Sequence, residues 1–469
     1  MKKLFCLLIP ILGLLSCSNE LQETLHMAIA MSNESISFPT TEKTKIETDI
    51  SNYITKIKPG NTSTFSKASN NYSLTPYIYK GDTIMYIANY TSGWELYSAD
   101  QRTPLIMASS ETGSFDMNDN TMAPAFKSYL NSVAEELYQI KQMDTTEGET
   151  YGLWKTVSIQ NDEVDQQMIE VAPRAAGTQP GSGYWVLLST TTPVTSTNTS
   201  NRLTSTRWGQ GYPWNVYVPF VQGSATQHCV AGCAPVATAQ YLYYLHYKNN
   251  KPANTVTSAT YQASSNTYNY AGSSSSIWDQ MAKTSSNTGT NHAATLIGYV
   301  GKSISTKYGS SSSDAFISDV IKFINNVGNY NYKLNAMDYS YVTKELIAGR
   351  AVYARSDDSN SDGGHQFIID RYRATTTSST STFGWVGTDN YGQDTNEYDE
   401  NGNVIGHSFF YDRENRTVSY AYSMNWGWSG SNYDNTYFTA SDNSDWHVDY
   451  HFHTCLLYTS PSPRDYAAS

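Results

Sequence analysis

Gly232-Cys233-Ala234-Pro235 opens a stretch in which Val236, Ala239, Gln240, Tyr243, Tyr244 and Tyr247 recur at helical spacing. Pro235 suits the first turn of a helix, where its missing N–H costs nothing. A thiol at such a start feels the positive end of the helix dipole and unpaired backbone N–H groups. Both favour thiolate, the nucleophilic form. A buried cysteine packing as a small hydrophobe is the competing reading, and this segment alone does not separate the two.

Three further segments bear on the choice. His365 lies in Gly363-Gly364-His365-Gln366-Phe367-Ile368-Ile369-Asp370, a glycine turn followed by a β-rich run. That suits a base reaching for a distant thiol, although taken singly a surface histidine in a loop is simpler. Tyr422-Ser423-Met424-Asn425-Trp426-Gly427-Trp428-Ser429-Gly430 alternates like a strand and then places an amide before two tryptophans. The carbonyl of an Asn side chain can hold an imidazole in one tautomer while an aromatic ring shields the bond. Upstream, Trp208-Gly209-Gln210-Gly211-Tyr212-Pro213-Trp214-Asn215 carries Gln210, 23 residues before Cys233. An amide beside a thiolate can donate to a developing oxyanion together with the cysteine's own N–H.

With these residues in the order Gln, Cys, His, Asn, the sequence resembles the streptopain family of papain-like cysteine peptidases. The resemblance rests on Gly209–Asn215, on Gln227-His228 with Gly232-Cys233 and Ala237-Thr238-Ala239-Gln240, on Gly364-His365, and on Asn425–Gly430. Ser98-Ala99-Asp100-Gln101-Arg102-Thr103-Pro104 and Thr112-Gly113-Ser114-Phe115-Asp116 look like the family's propeptide. The resemblance implies a latent cysteine endopeptidase acting on proteins or peptides, with its own propeptide as inhibitor. Cys233 would be nucleophile, His365 base, Asn425 and Trp426 its orienting and shielding partners, and Gln210 the oxyanion donor. The implied fold is α+β and papain-like, with a helical left part and an antiparallel β right part after a small α+β propeptide domain. Three departures stand out: Ala234-Pro235-Val236 where the family has Val-Ala-Thr, Gln366 after the histidine, and a long acidic segment at 389–403. Gly364, Gln366, Trp428 and Ala234 are therefore candidates for the substrate cleft. A transglutaminase-like acyltransferase and a surface binding module on an altered scaffold are the rival functions.

The rest of the chain frames this region. The 469 residues carry a net charge of −12, which argues against nucleic acid, a partner that needs clustered Lys and Arg. Lys2-Lys3 followed by Leu4–Leu15 reads as an export signal, and Leu14-Leu15-Ser16-Cys17 resembles a lipobox. The expected protein is an exported, lipid-anchored one of a bacterial envelope or surface, with release after processing as the alternative. Residues 1–17 would be the signal, Cys17 the lipid anchor, and that lipid the only membrane attachment. Residues 21–75 are polar with amphipathic hints only. Beyond them, periodic patterns predict a compact α+β unit ending near residue 145, with a hairpin near Gly81-Asp82 and a helix over Phe126–Gln142. The resemblance implies that 21–145 is the propeptide. A Ser/Thr-rich linker holding the processing site is expected over 146–205, with Tyr184–Leu188 as its one candidate strand. The catalytic domain is expected over 206–453, and a non-native read-through tail over 454–469. Cys229 is the rival thiol, and a Cys229–Cys233 disulfide would silence the enzyme. Neither the cysteines and histidines nor the acidic segment have the spacing of a zinc or calcium site, so no metal or cofactor is expected.

Overall fold

The computed structural model describes residues 44–57, 71–119, 122–143, 153–154, 183–248, 259–263, 266–270, 275–285, 289–328, 331–335, 337–357, 364–387, 396–398, 400–402, 404–407, 409–430, 433, 435–440 and 455–459. The expected signal segment, Cys17 and the first half of the expected linker lie outside these residues. The described residues from Lys45 onward belong to one compact unit.

The chain begins with α1 (Lys45–Asn52), where sequence periodicity offered only a hint, and a single π turn at Tyr53–Ile57. The strands β1 (Tyr72–Tyr79), β2 (Asp82–Tyr90), β3 (Trp94–Ser98) and β4 (Ile106–Ser110) form an antiparallel meander. Lys80 and Gly81 join β1 to β2 with φ of +50° and +93°, the primed-turn conformation that matches the twist of a tight hairpin. Helix α2 (Pro124–Gln142) buries Phe126, Leu130, Val133, Ala134, Leu137 and Ile140 along one stripe.

Two strands follow where a linker was expected: β5 (Gly183–Thr190) and β6 (Val194–Thr199). The first contains the candidate strand Tyr184–Leu188; the second, VTSTNT, has no hydrophobic period to reveal it. What holds them is backbone pairing, together with buried Trp185 and Thr195.

Helix α3 (Cys233–Lys248) is buried on nearly every side from Ala234 to Leu245, as the central helix of a layer must be. Around it stand α4 (Ser275–Gln280), α5 (Thr290–Ser303) and α6 (Ile317–Gly328), with Leu296, Ile297, Val300, Val320 and Ile324 in one shared core. A small hairpin, β7 (Ala259–Ala263) and β8 (Asn266–Tyr270), lies between α3 and α4 in sequence. Then come β9 (Tyr332–Asn335), α7 (Tyr339–Ile347), β10 (Val352–Asp357) and the 24-residue β11 (Gly364–Gly387). The short pair β12 (Asn396–Tyr398) and β13 (Val404–His407) precedes β14 (Phe410–Asn425), β15 (Tyr437–Ala440) and β16 (Cys455–Thr459).

The main sheet runs β1-β2-β3-β4-β15-β14-β11-β10-β16-β9, and all its pairings are antiparallel. Strand β11 is its spine. One edge of β11 pairs with β14; the other is shared in tandem by β10 at 364–369, β6 at 373–378 and β5 at 381–387. The stretch set aside as a non-native tail thus contributes β16, because a β-compatible backbone run can fill the slot between β10 and β9.

The helical half and the antiparallel half expected from the sequence are both present. The N-terminal meander is not a separate globule, however. Strand β4 pairs with β15, and Trp94, Phe115, Phe126 and Leu130 share one core with Phe367, Met424, Trp426, Tyr433 and Phe438.

Candidate active site

Cys233 is the first residue of α3, as the sequence predicts. Gly232 precedes it with φ of +90°, and a Cβ there would come within 2.7 Å of the Ser313 carbonyl oxygen. Glycine is therefore required to turn the chain into the helix. The Cys233 Sγ accepts a hydrogen bond from the Gln366 N–H at 3.4 Å. Burial pushes the thiol pKa up; the N–H groups of Gln366 and Ala234 oppose this, and the Asp314 carboxylate adds to it. Cys229 is buried and also a free thiol, so the expected alternative of a Cys229–Cys233 disulfide is not the state seen.

His365 is the second residue of β11 and lies one residue from the N–H that meets the sulfur. Strand pairing with β10 sets that register, with Ser356 opposite His365 and Arg355 opposite Gln366. Its Nε2 bonds the Trp426 carbonyl oxygen at 3.0 Å. A carbonyl only accepts, so Nε2 carries the proton and Nδ1 the basic lone pair. Burial pulls the imidazole down to about 4, against the opposing pull of the Trp426 carbonyl. Both groups are thus neutral near pH 7 in this arrangement, and no hydrogen bond joins them among the described residues.

Asn425 does not reach the imidazole, contrary to expectation. It is buried at the end of β14, where its amide pairs with that of Gln240 on α3 (3.1 and 3.3 Å). Its Nδ2 also donates to the Thr206 carbonyl at 2.9 Å and to Thr204 Oγ1 at 3.2 Å, while Oδ1 accepts from the Gly427 N–H. The orienting carbonyl comes instead from the main chain of the next residue. Trp426 itself sits beside the imidazole as expected, with ring centroids 5.9 Å apart, and packs on Phe367 and Phe438.

Gln210 is half-buried, and its main-chain carbonyl accepts the Ala231 N–H at 2.7 Å, which brings its loop to the start of α3. That loop is also fastened to the Trp426–Gly430 turn. Ser429 N–H donates to the Trp208 carbonyl and the Trp214 indole donates to Ser429 Oγ. A methyl group on Gly209 would overlap Ser429 Oγ, so glycine permits that approach. Gln240 adds a third tie by accepting the Trp208 N–H at 3.1 Å. The sequence carried a signal for Gln240, a lone amide within an otherwise apolar helical run, which was read only as part of the periodicity.

The four cleft candidates divide. Gly364 is exposed and Trp428 half-buried, so both are accessible. Ala234 is fully buried and Gln366 is 4% exposed, so neither side chain lines a cleft. Successive strand residues point to opposite faces, and with His365 turned toward Trp426 the Gln366 side chain turns inward. Among the described residues, no group of acidic, His and Cys side chains is arranged to hold a metal ion.

Residues 208–391 match the Peptidase C10 family. Streptopain of Streptococcus pyogenes is 26% identical over 316 residues, covering 61% of this chain and 67% of that protein. Among solved structures, a Prevotella intermedia prointerpain A fragment aligns with 82% of this chain and 98% of its own length, at 18% identity and a TM-score of 0.48. The active interpain A cysteine protease of the same organism aligns with 55% of this chain and 94% of its own, at 19% identity and a TM-score of 0.33. The matched segment spans both the Cys233 helix start and the His365 strand, which makes this region similar to the streptopain-type cysteine peptidases.

Proposed function

We propose that this peptidase is made as a latent cysteine endopeptidase in which Cys233 and His365 do the chemistry. The observation that carries the assignment is the convergence of the α3 start and the β11 start, where the residue after His365 bonds the Cys233 sulfur. In turnover, Nδ1 of His365 takes the thiol proton and Sγ attacks the peptide carbonyl carbon. The oxyanion is held by the Cys233 N–H and the Gln210 amide. The imidazolium then gives its proton to the leaving amine, and water, deprotonated by the same nitrogen, releases the acyl group. The Trp426 carbonyl keeps the required tautomer throughout, and a helix N-terminus favours the thiolate as it forms.

Latency is supported by the neutral state of both groups and by the N-terminal unit, which fills the space behind Trp426. Phe438 contacts Trp426 on one side and Phe126 and Tyr129 of α2 on the other. Arg373 of β11 reaches across to Ser109 and Glu111. Activating cleavage falls before Gly183, because β5 and β6 are structural strands on β11. The leader and Cys17 support export and lipid anchoring; labelling with a radioactive fatty acid that survives Cys17→Ser would refute the anchor.

The test of the whole reading is incubation of wild type and Cys233→Ala with denatured casein under reducing conditions. Wild type should cut the casein and its own chain, and the variant neither. Equal cutting by both would end the assignment, and amine incorporation without cutting would point to acyl transfer.

A further inference from the structure

Gln366 has no place in the chemistry above, yet it is the residue that joins the two halves of the site. Its side chain is 4% exposed, next to a Tyr353 that is fully buried on β10. The Tyr353 hydroxyl donates to Gln366 Oε1 at 2.7 Å, and Gln366 Nε2 donates to the Ala315 carbonyl at 3.0 Å. The same hydroxyl oxygen lies 3.1 Å from Thr238 Oγ1 on α3. A phenol has one proton, and Gln366 takes it. Thr238 must therefore donate to Tyr353, which fixes the direction of the whole chain: Thr238 to Tyr353 to Gln366 to Ala315. Thr238 is also fully buried, so none of these groups can turn to water instead.

The chain of bonds ties the helix bearing Cys233 to the strand bearing His365 and to the segment leading into α6. At its centre, the main-chain N–H of Gln366 points at Cys233 Sγ. We propose that Gln366 is a positioning residue: its braced side chain holds that N–H on the sulfur and so sets both the Cys233–His365 separation and the ease of forming thiolate. The inference rests on the assignment of Cys233 as nucleophile.

The test follows alkylation of the full chain by iodoacetamide from neutral into alkaline pH, quantified by mass on the peptide that carries Cys233. Gln366→Met keeps the volume but cannot accept from Tyr353. It should move the alkylation midpoint up by about one pH unit, an approximately tenfold loss of rate on the acidic side. In the processed enzyme kcat should fall while KM holds. Thr238→Val, a milder cut at the far end, should shift the midpoint in the same direction, and Thr238→Ser, which keeps the donor, should recover the wild-type profile. A Gln366→Met profile that superimposes on wild type overturns the proposal, and so does a lowered melting temperature with no change in the profile. Casein cutting that survives Cys233→Ala would instead remove the assignment on which the inference rests, a separate and visible result.

Discussion

The molecule has two internal seams that differ in kind. Between the helical and β halves of the catalytic region the contacts are polar, buried and directional: Gln240 with Asn425 and Trp208, Thr238 with Tyr353, Gln366 with Ala315. Between the N-terminal unit and the β half they are mostly rings, with Phe126 and Phe115 on Tyr433 and with Phe126 and Tyr129 on Phe438. Hydrogen bonds in a dry interior specify one geometry and penalise every other. Packed rings give area and affinity with far weaker angular demands. On the proposed function, the seam that keeps two reacting groups in place is the polar one, and the seam that parts on activation is the aromatic one.

The strongest way to break this contrast is Phe126→Ala, which empties the centre of the aromatic seam. A loss of about 3–5 kcal/mol is expected, seen as earlier self-cleavage of the wild-type background and a lower melting temperature with Cys233→Ala. Gln240→Leu strikes the other seam and strands the amide of Asn425 and the N–H of Trp208. About 2–4 kcal/mol should go, and activity should fall even after the N-terminal unit is removed, whereas Phe126→Ala should then be silent. If both variants behave alike after processing, the two seams are not distinct.

Arg373→Met tests a side-chain polar tie beside the rings of that seam. Glu111 keeps some solvent access, so about 1–3 kcal/mol is expected, read as faster cleavage between the two parts by added trypsin. Acidification gives a smaller, signed effect. His365 titrates at about 4 in the fold against 6.5 for a free imidazole, so between these values the unfolded chain binds a proton that the native chain does not. Stability should fall as pH drops from about 6.5 to 4. Melting curves of Cys233→Ala should show this slope, and Cys233→Ala/His365→Gln should flatten it. The smallest effect belongs to Lys80→Ala, which removes the exposed pair with Glu135 and should cost about 0–1 kcal/mol.

Helices and hairpins with a hydrophobic period were legible in the sequence: α2, α3 and the β1–β2 turn appear where the spacing puts them. The core of β5 was readable as Tyr184–Leu188, but β6 was not, since threonines held by backbone pairing leave no stripe to read. At the site, residue types in order located Cys233, His365 and the Trp426 turn. The amide of Asn425 was misdirected because a motif shows which groups are near, and the carbonyl of Trp426 is invisible in side-chain chemistry. Gln366 could have been placed by parity alone, given a strand that already commits its histidine to the Trp426 face.

The edge of β4 has a consequence for how the chain becomes a protein. Ser109 pairs with Tyr437, and β5 pairs with the far end of β11, so partners are separated by hundreds of residues at one edge and nearly two hundred at the other. Such pairings are the slow ones, because a long loop must close before any contact rewards it. A nascent chain therefore cannot complete the sheet until β15 has been synthesised. The N-terminal unit docks in the same late event that completes the wall behind His365, so a half-made chain has neither.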